Sequence, residues 1–118
     1  MVRKNALIFG SSGTIGFSIY EKFLSSGKYN IFTAGKSNNK LSKNHIFTNY
    51  DSEKINDSFI NLPELEVVIW AQGLNCSDRI SDFKFQDLNN LLNSNVIFIA
   101  ACINNLSNLK KIKNGARL

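Results

Sequence analysis

Glycines recur at every third position in Gly10-Ser11-Ser12-Gly13-Thr14-Ile15-Gly16, between a short apolar run and a stretch of helical periodicity. Each can do a distinct physical job. One permits the tight turn out of a strand, one lets the backbone approach a pyrophosphate, and the last lets a helix pack closely on a sheet. A helix beginning there offers unpaired N–H groups and a partial positive charge to the phosphates. A strand before the glycines and a helix after them is the context such a pattern requires. The spacing therefore predicts a dinucleotide site over Gly10, Ser11, Ser12, Gly13, Thr14, Ile15 and Gly16, with a purely structural turn as the competing reading. A side chain at Gly10 is expected to occupy pyrophosphate space and block binding without necessarily unfolding the chain. No Gly-Lys-Ser/Thr follows, which excludes a phosphate-loop NTPase.

The second informative position lies at the end of the next strand, roughly 20 residues beyond the glycines, where an acid would hydrogen-bond the ribose hydroxyls of NAD. Gly35-Lys36-Ser37 carries no acid. It places a cation and a hydroxyl where a 2′-phosphate would need charge and donors, which favours NADP(H) over NAD(H). The plain alternative is a solvated lysine in a loop that also holds Lys40 and Lys43. The single His45 and the two cysteines, Cys76 and Cys102, form no zinc-ligand or Cys-x-x-Cys spacing. His45 is expected to be structural, the thiols reduced, and no metal bound.

These residues need elements to hold them. Ala6 to Phe9 reads as a buried strand of a parallel sheet. Ile15, Ile19 and Phe23, with Tyr20 and Leu24 beside them, form the apolar stripe of a helix that Gly27 ends. Tyr29 to Ala34 predicts a second strand, His45 to Tyr50 a third, and Leu65 to Ala71 a fourth that ends at Gln72-Gly73. Ser52 can cap a helix carrying Ile55, Phe59 and Leu62, closed by Pro63. From about Asp82 to Leu106 the spacing of Leu88, Leu91, Leu92, Val96, Ile99 and Ile103 is helical. Strand alternating with helix predicts the α/β class with a doubly wound parallel sheet.

At 118 residues and 13.2 kDa the chain is one domain. Its 43% hydrophobic and 19% charged residues suit a packed core and exclude a disordered tail. The net charge of +5 would permit a nucleic-acid partner, but much of the excess sits in Arg3-Lys4 and in Lys110, Lys111, Lys113 and Arg117 at the chain ends, so no nucleic acid is expected. The apolar run Val96 to Ile103 is too short to span a membrane. The N-terminus lacks the apolar length of a secretory signal. A cytoplasmic location is expected.

With these residues in place, the sequence resembles the N-terminal half of the short-chain dehydrogenase/reductase family. The glycine spacing is like that of its extended and divergent branches. Val-Val-Ile-Trp-Ala-Gln-Gly, Val67 to Gly73, looks like the family's fourth strand with its Asn-Asn-Ala-Gly ending, of which Gly73 alone is retained. The resemblance implies cofactor contacts at Ala71, Gln72 and Gly73, an adenine contact at Asp51, and a proton-relay role for Asn95. It further implies a Rossmann-type sheet truncated after the fourth strand and its following helix, since Lys113 to Leu118 resembles the turn into a fifth strand.

The family acts through a serine after that strand and a Tyr-x-x-x-Lys pair. One string matches the pair, Tyr50-Asp51-Ser52-Glu53-Lys54, but it precedes the fourth strand and reads as a decoy. The expectation is the dinucleotide-binding half of an NADP(H)-dependent oxidoreductase of small carbonyl or alcohol substrates, inactive as this fragment. The alternative is a non-catalytic NADP-binding or protein-interaction module. A fourth strand left at the sheet edge, and a long apolar helix, predict a homo-oligomer.

Overall fold

A computed structural model describes residues 2–36, 44–52, 55, 59–73 and 84–118. Strand β1 (Lys4–Phe9) feeds helix α1 (Thr14–Ser26), which returns to β2 (Tyr29–Gly35); β3 (His45–Phe47) and β4 (Leu65–Trp70) follow. Helix α2 (Phe85–Leu92) runs through a π-helical turn (Asn93–Ile97) into α3 (Phe98–Asn108), and β5 (Ile112–Arg117) closes the described chain. Among the described residues the sheet has the order β3-β2-β1-β4-β5. Every pairing in it is parallel. The order reverses direction beside β1, where β2 and β4 flank it, and in open α/β sheets ligands bind in the crevice beyond such a switch point.

Alternation along the strands sorts the two faces. Leu7, Phe9, Ala34, Val68 and Leu65 join Phe98, Cys102 and Leu106 of α3 in one buried cluster with Ile55, Phe59 and Leu62. Its centre is aromatic: Phe9 stacks on Trp70 at 4.4 Å and meets Phe59 and Phe98 edge-on at 5.9 and 5.8 Å. Such pairs add about 0.5–1.5 kcal/mol each beyond their buried area. Phe9 and Trp70 are register partners across β1 and β4, so the stack follows directly from the pairing. Helix α1 lies outside this cluster, against β1 and β2, and leaves Ala6 and Ile8 fully buried as well.

Three expectations change. The sheet runs one strand further than predicted, because the polar Lys113-Asn114-Gly115 stretch itself pairs as β5, with a register irregularity between Leu65 and Val67. Leu65 N–H donates to the Lys111 carbonyl at 2.6 Å, and the Lys113 ammonium lies 3.4 Å from the Glu66 carboxylate. β4 is thus a central strand, as its composition demands, and the argument for association through an exposed β4 edge falls. Its polar, glycine-containing sequence lacks the continuous apolar run that marks a buried strand.

The stripe of α1 is turned as well. Gly16 and Tyr20 are the residues buried on it, while Ile15 is 72% exposed. The close seat of Gly16 on the glycine turn sets the helix rotation. The third change is the π turn. Its extra residue rotates the helix that follows, so the fully buried positions are Phe98, Cys102 and Leu106 rather than the predicted Ile99 and Ile103, which are half-buried, while Val96 is exposed. Of the predicted Ser52-capped helix, residues 53–54 and 56–58 lie outside the described residues, as does Asp82 at the predicted start of the long helix. Residues 59–61 form a turn, with Leu62 N–H donating to the Phe59 carbonyl at 3.2 Å, and the Ser52 hydroxyl donates to Asn93 Oδ1 at 3.4 Å. Ile55, Phe59 and Leu62 are nonetheless buried, as their apolar spacing predicts.

Candidate functional site

The C-terminal ends of β1, β2 and β4 meet at the glycine turn. Gly10 has φ +75°, and its N–H donates to the Ala34 carbonyl at 2.9 Å. A Cβ at Gly10 would lie 2.6 Å from Gln72 N and 2.7 Å from the Ala71 carbonyl carbon. The space above Gly10 is therefore filled by β4 backbone, not by ligand. That corrects the expectation that a side chain there would act by displacing pyrophosphate, and it arises because Ala71 N–H is drawn to the Phe9 carbonyl at 3.0 Å. Gly16 seats the helix on the turn, since a Cβ there would overlap the Gly10 carbonyl.

Gly13 differs from both. Its backbone is extended (φ −78°, ψ 169°), and a Cβ would meet only the Gly10 carbonyl oxygen, at 3.5 Å. As the N-cap of α1 it supplies no side-chain cap, and the first turn holds no acidic residue. The first helical hydrogen bond is Phe17 N–H to the Gly13 carbonyl at 2.8 Å, which leaves the N–H groups of Thr14, Ile15 and Gly16 ahead of the helical ladder. Ser12, Gly13, Thr14 and Ile15 are exposed around this opening, and Ser11 is buried behind it. The arrangement can receive an anion at an uncompensated helix N-terminus.

On the β4 side, Ala71 and Gln72 are half-buried and Gly73 exposed. The side-chain amide of Gln72 is the notable feature: both Nε2 and Oε1 are buried without a hydrogen-bond partner among the described residues. Asn95, half-buried in the π turn, approaches this end of the sheet, with its Oδ1 3.8 Å from where a Gly73 Cβ would stand. The π turn left no trace in the apolar spacing, although such turns concentrate at functional sites. Trp70, where the resembling family carries asparagine, is committed to the core by its stack on Phe9.

At the end of β2, Lys36 is exposed and its ammonium lies 5.6 Å from the centre of the Tyr50 ring. Ser37 lies outside the described residues, as do Lys40, Lys43, Cys76 and Lys54 of the decoy string. Tyr50 packs edge-on against Phe98 at 5.2 Å. Burial raises the pKa of its phenol, the opposite of what a tyrosine acid/base needs. Asp51, half-buried, lines a small cleft with Phe47, Thr48 and Asn49. His45 Nδ1 is hydrogen-bonded to the Thr33 hydroxyl at 2.8 Å, and its Nε2 is buried without a partner among the described residues. Among the described residues no cluster of three His, Cys, Asp or Glu side chains is placed to hold a metal, and no helix is long and apolar enough to cross a membrane.

No family profile matches the sequence, and no curated protein matches it. Solved structures do. A short chain dehydrogenase family protein from Francisella tularensis superposes with a TM-score of 0.81 at 20% identity, covering 98% of this chain and 49% of that one. A short chain dehydrogenase from Leptospira borgpetersenii with bound NAD+ gives 0.76 at 18%, over 91% of this chain and 46% of that one. The NADPH-bound carbonyl reductase from chicken fatty liver gives 0.75 at 13%, over 92% and 49%. The chain spans about half the length of these proteins. Their superposition on the chain with its five-stranded sheet establishes that the chain has the α/β fold of the short-chain dehydrogenases, over about half of a member's length.

Proposed function

We propose that the chain is the dinucleotide-binding half of an NADP(H)-dependent oxidoreductase of the short-chain dehydrogenase type, acting in the cytoplasm on a small carbonyl or alcohol substrate. The observation that carries this reading is the opening at Gly13: an uncapped helix N-terminus without an acid in its first turn, at the sheet's switch point. The pyrophosphate would lie against the N–H groups of Thr14, Ile15 and Gly16. The adenosine would run toward β2, with the 2′-phosphate at Lys36 and Ser37 and the adenine near Asp51. The nicotinamide would lie toward Ala71, Gln72, Gly73 and Asn95, where the orphaned Gln72 amide can meet polar groups of the ligand.

Hydride chemistry belongs to the nicotinamide; the protein's part is to bind and orient it. Of the family's catalytic set the sequence offers Asn95 alone, and no turnover is expected from this chain.

Calorimetric titration with NADPH and NADH tests the first reading. A charge-assisted contact to the 2′-phosphate is worth about 1.5–3 kcal/mol, so NADPH should bind about ten- to a hundredfold more tightly than NADH. Lys36→Ala should bring the two together. Equal affinities for the parent chain would remove the NADP assignment. Absence of binding would remove the site. NADPH oxidation with aldehydes, ketones and quinones then separates a binding module from an enzyme.

A further inference from the structure

Tyr50 is held more tightly than a core filler requires. Its backbone sits at φ +57°, a left-handed conformation that bulky residues rarely adopt. Its N–H donates to the Thr48 hydroxyl at 3.2 Å, and Thr48 N–H donates to the Gly35 carbonyl at 3.0 Å, which ties the segment to the end of β2. The phenol oxygen stands 3.2 Å from the place a Gly35 Cβ would take, so glycine at 35 makes the room for it. One ring edge rests on the fully buried Phe98. The ring centre lies 5.6 Å from the Lys36 ammonium, within the range of a cation–π attraction. Strained backbone persists where the surroundings over-determine it, and it concentrates at ligand clamps.

We propose that Tyr50 is a positioning residue that holds the Lys36 ammonium at the ribose end of the cofactor groove and thereby strengthens the preference for a 2′-phosphate over a 2′-hydroxyl. The inference rests on the NADP reading given above and goes beyond it by assigning a residue outside the glycine motif. A free lysine loses rotamer freedom when it binds a phosphate, and a side chain already held in place loses less. The ring takes one side of the ammonium and leaves its remaining N–H donors to the ligand. A phenol ionises only near pH 10, and burial moves Tyr50 further up, so at neutral pH the hydroxyl is uncharged and does not repel the phosphate.

The test compares the NADPH:NADH affinity ratio of the full chain with Tyr50→Phe, Tyr50→Leu, Lys36→Ala and the Lys36→Ala/Tyr50→Leu double variant. Tyr50→Phe keeps the ring and should keep the ratio. Tyr50→Leu should lower it about two- to fivefold, the span of an exposed cation–π contact, and should lower it no further in the Lys36→Ala background. A general loss of folding would weaken both nucleotides alike and leave the ratio unmoved.

A second readout needs no variant to fold. In NMR spectra of the unliganded protein, the Lys36 ε-methylene protons should be shifted upfield by the Tyr50 ring current. Random-coil shifts there, or a ratio equal to or above the parent's in a Tyr50→Leu variant that keeps a cooperative melting transition, would overturn the inference. A ratio unchanged by Lys36→Ala would instead overturn the Lys36 reading beneath it. A ratio that falls in Lys36→Ala but not in Tyr50→Leu removes the role of Tyr50 alone.

Discussion

Gly10 faces the peptide between Ala71 and Gln72 so closely that a Cβ on it would lie 2.6 Å from the Gln72 nitrogen. The turn out of β1 is thereby seated on the end of β4, and the two strand ends that would flank the proposed dinucleotide are fixed relative to each other by the lack of one methyl group. The middle glycine has no such duty. The motif therefore divides into Gly10 and Gly16, which build the turn, and Gly13, which leaves it open.

That division predicts opposite phenotypes. Gly10→Ala combines a positive φ with a backbone clash and should cost about 1–3 kcal/mol of stability. It should lower the thermal midpoint with or without nucleotide. Gly13→Ala should melt close to the parent, since its Cβ makes only ordinary contact, yet weaken NADPH binding by crowding the helix N-terminus. Equal melting of the two variants would count against the division.

Gln72 carries a buried amide without partners among the described residues. Removing an unsatisfied polar group of this kind relieves a desolvation cost of about 1–3 kcal/mol, offset by any misfit of the replacement. Gln72→Met should therefore raise the midpoint of the unliganded protein, while the additional stabilisation given by saturating NADPH shrinks. A midpoint that falls without nucleotide would show that the amide has a structural partner.

Much of this architecture is legible in the residue order, and the failures have physical causes. Ala6 to Phe9 and Leu65 to Ala71 announce buried strands because burial on both faces selects continuous apolar runs. The rotation of α1 is not legible from Ile15, because a glycine contact rather than hydrophobic spacing sets it. β5 is not legible either, because its polar residues carry no apolar run or alternation. At the candidate site the glycines and Lys36 are visible as motif and offset. Tyr50 is not: its place beside Lys36 comes from β2–β3 pairing and from packing on Phe98, neither of which leaves a spacing to read.

Association should now run through helices rather than strands. With β4 covered by β5, the exposed apolar side chains left along one helical segment are Phe85, Leu92, Val96 and Ile97, at 74%, 43%, 57% and 50% exposure. We expect a homodimer at micromolar concentration by light scattering, and monomers from a Val96→Asp/Ile97→Glu double variant. A monomeric parent chain, or a dimer unaffected by these changes, would exclude this face.

Cys102 gives a pH signature of the core. It is fully buried on the core-facing side of α3, and burial pushes its thiol from 9.0 up to about 12. The unfolded thiol ionises near its ordinary value, so in alkaline solution the native state retains a proton that the unfolded state has lost. Native stability must then fall as pH rises between the two values, by up to about 1.4 kcal/mol per pH unit from this group, with no slope from it at neutral pH. Other groups titrate in the same window, so the measurement is a difference. Urea unfolding of the parent and of Cys102→Ala should show the parent ahead at neutral pH, because the variant opens a small cavity. The gap should narrow steadily as the solution is made alkaline. Parallel stability curves would mean that the thiol is not held protonated by the fold.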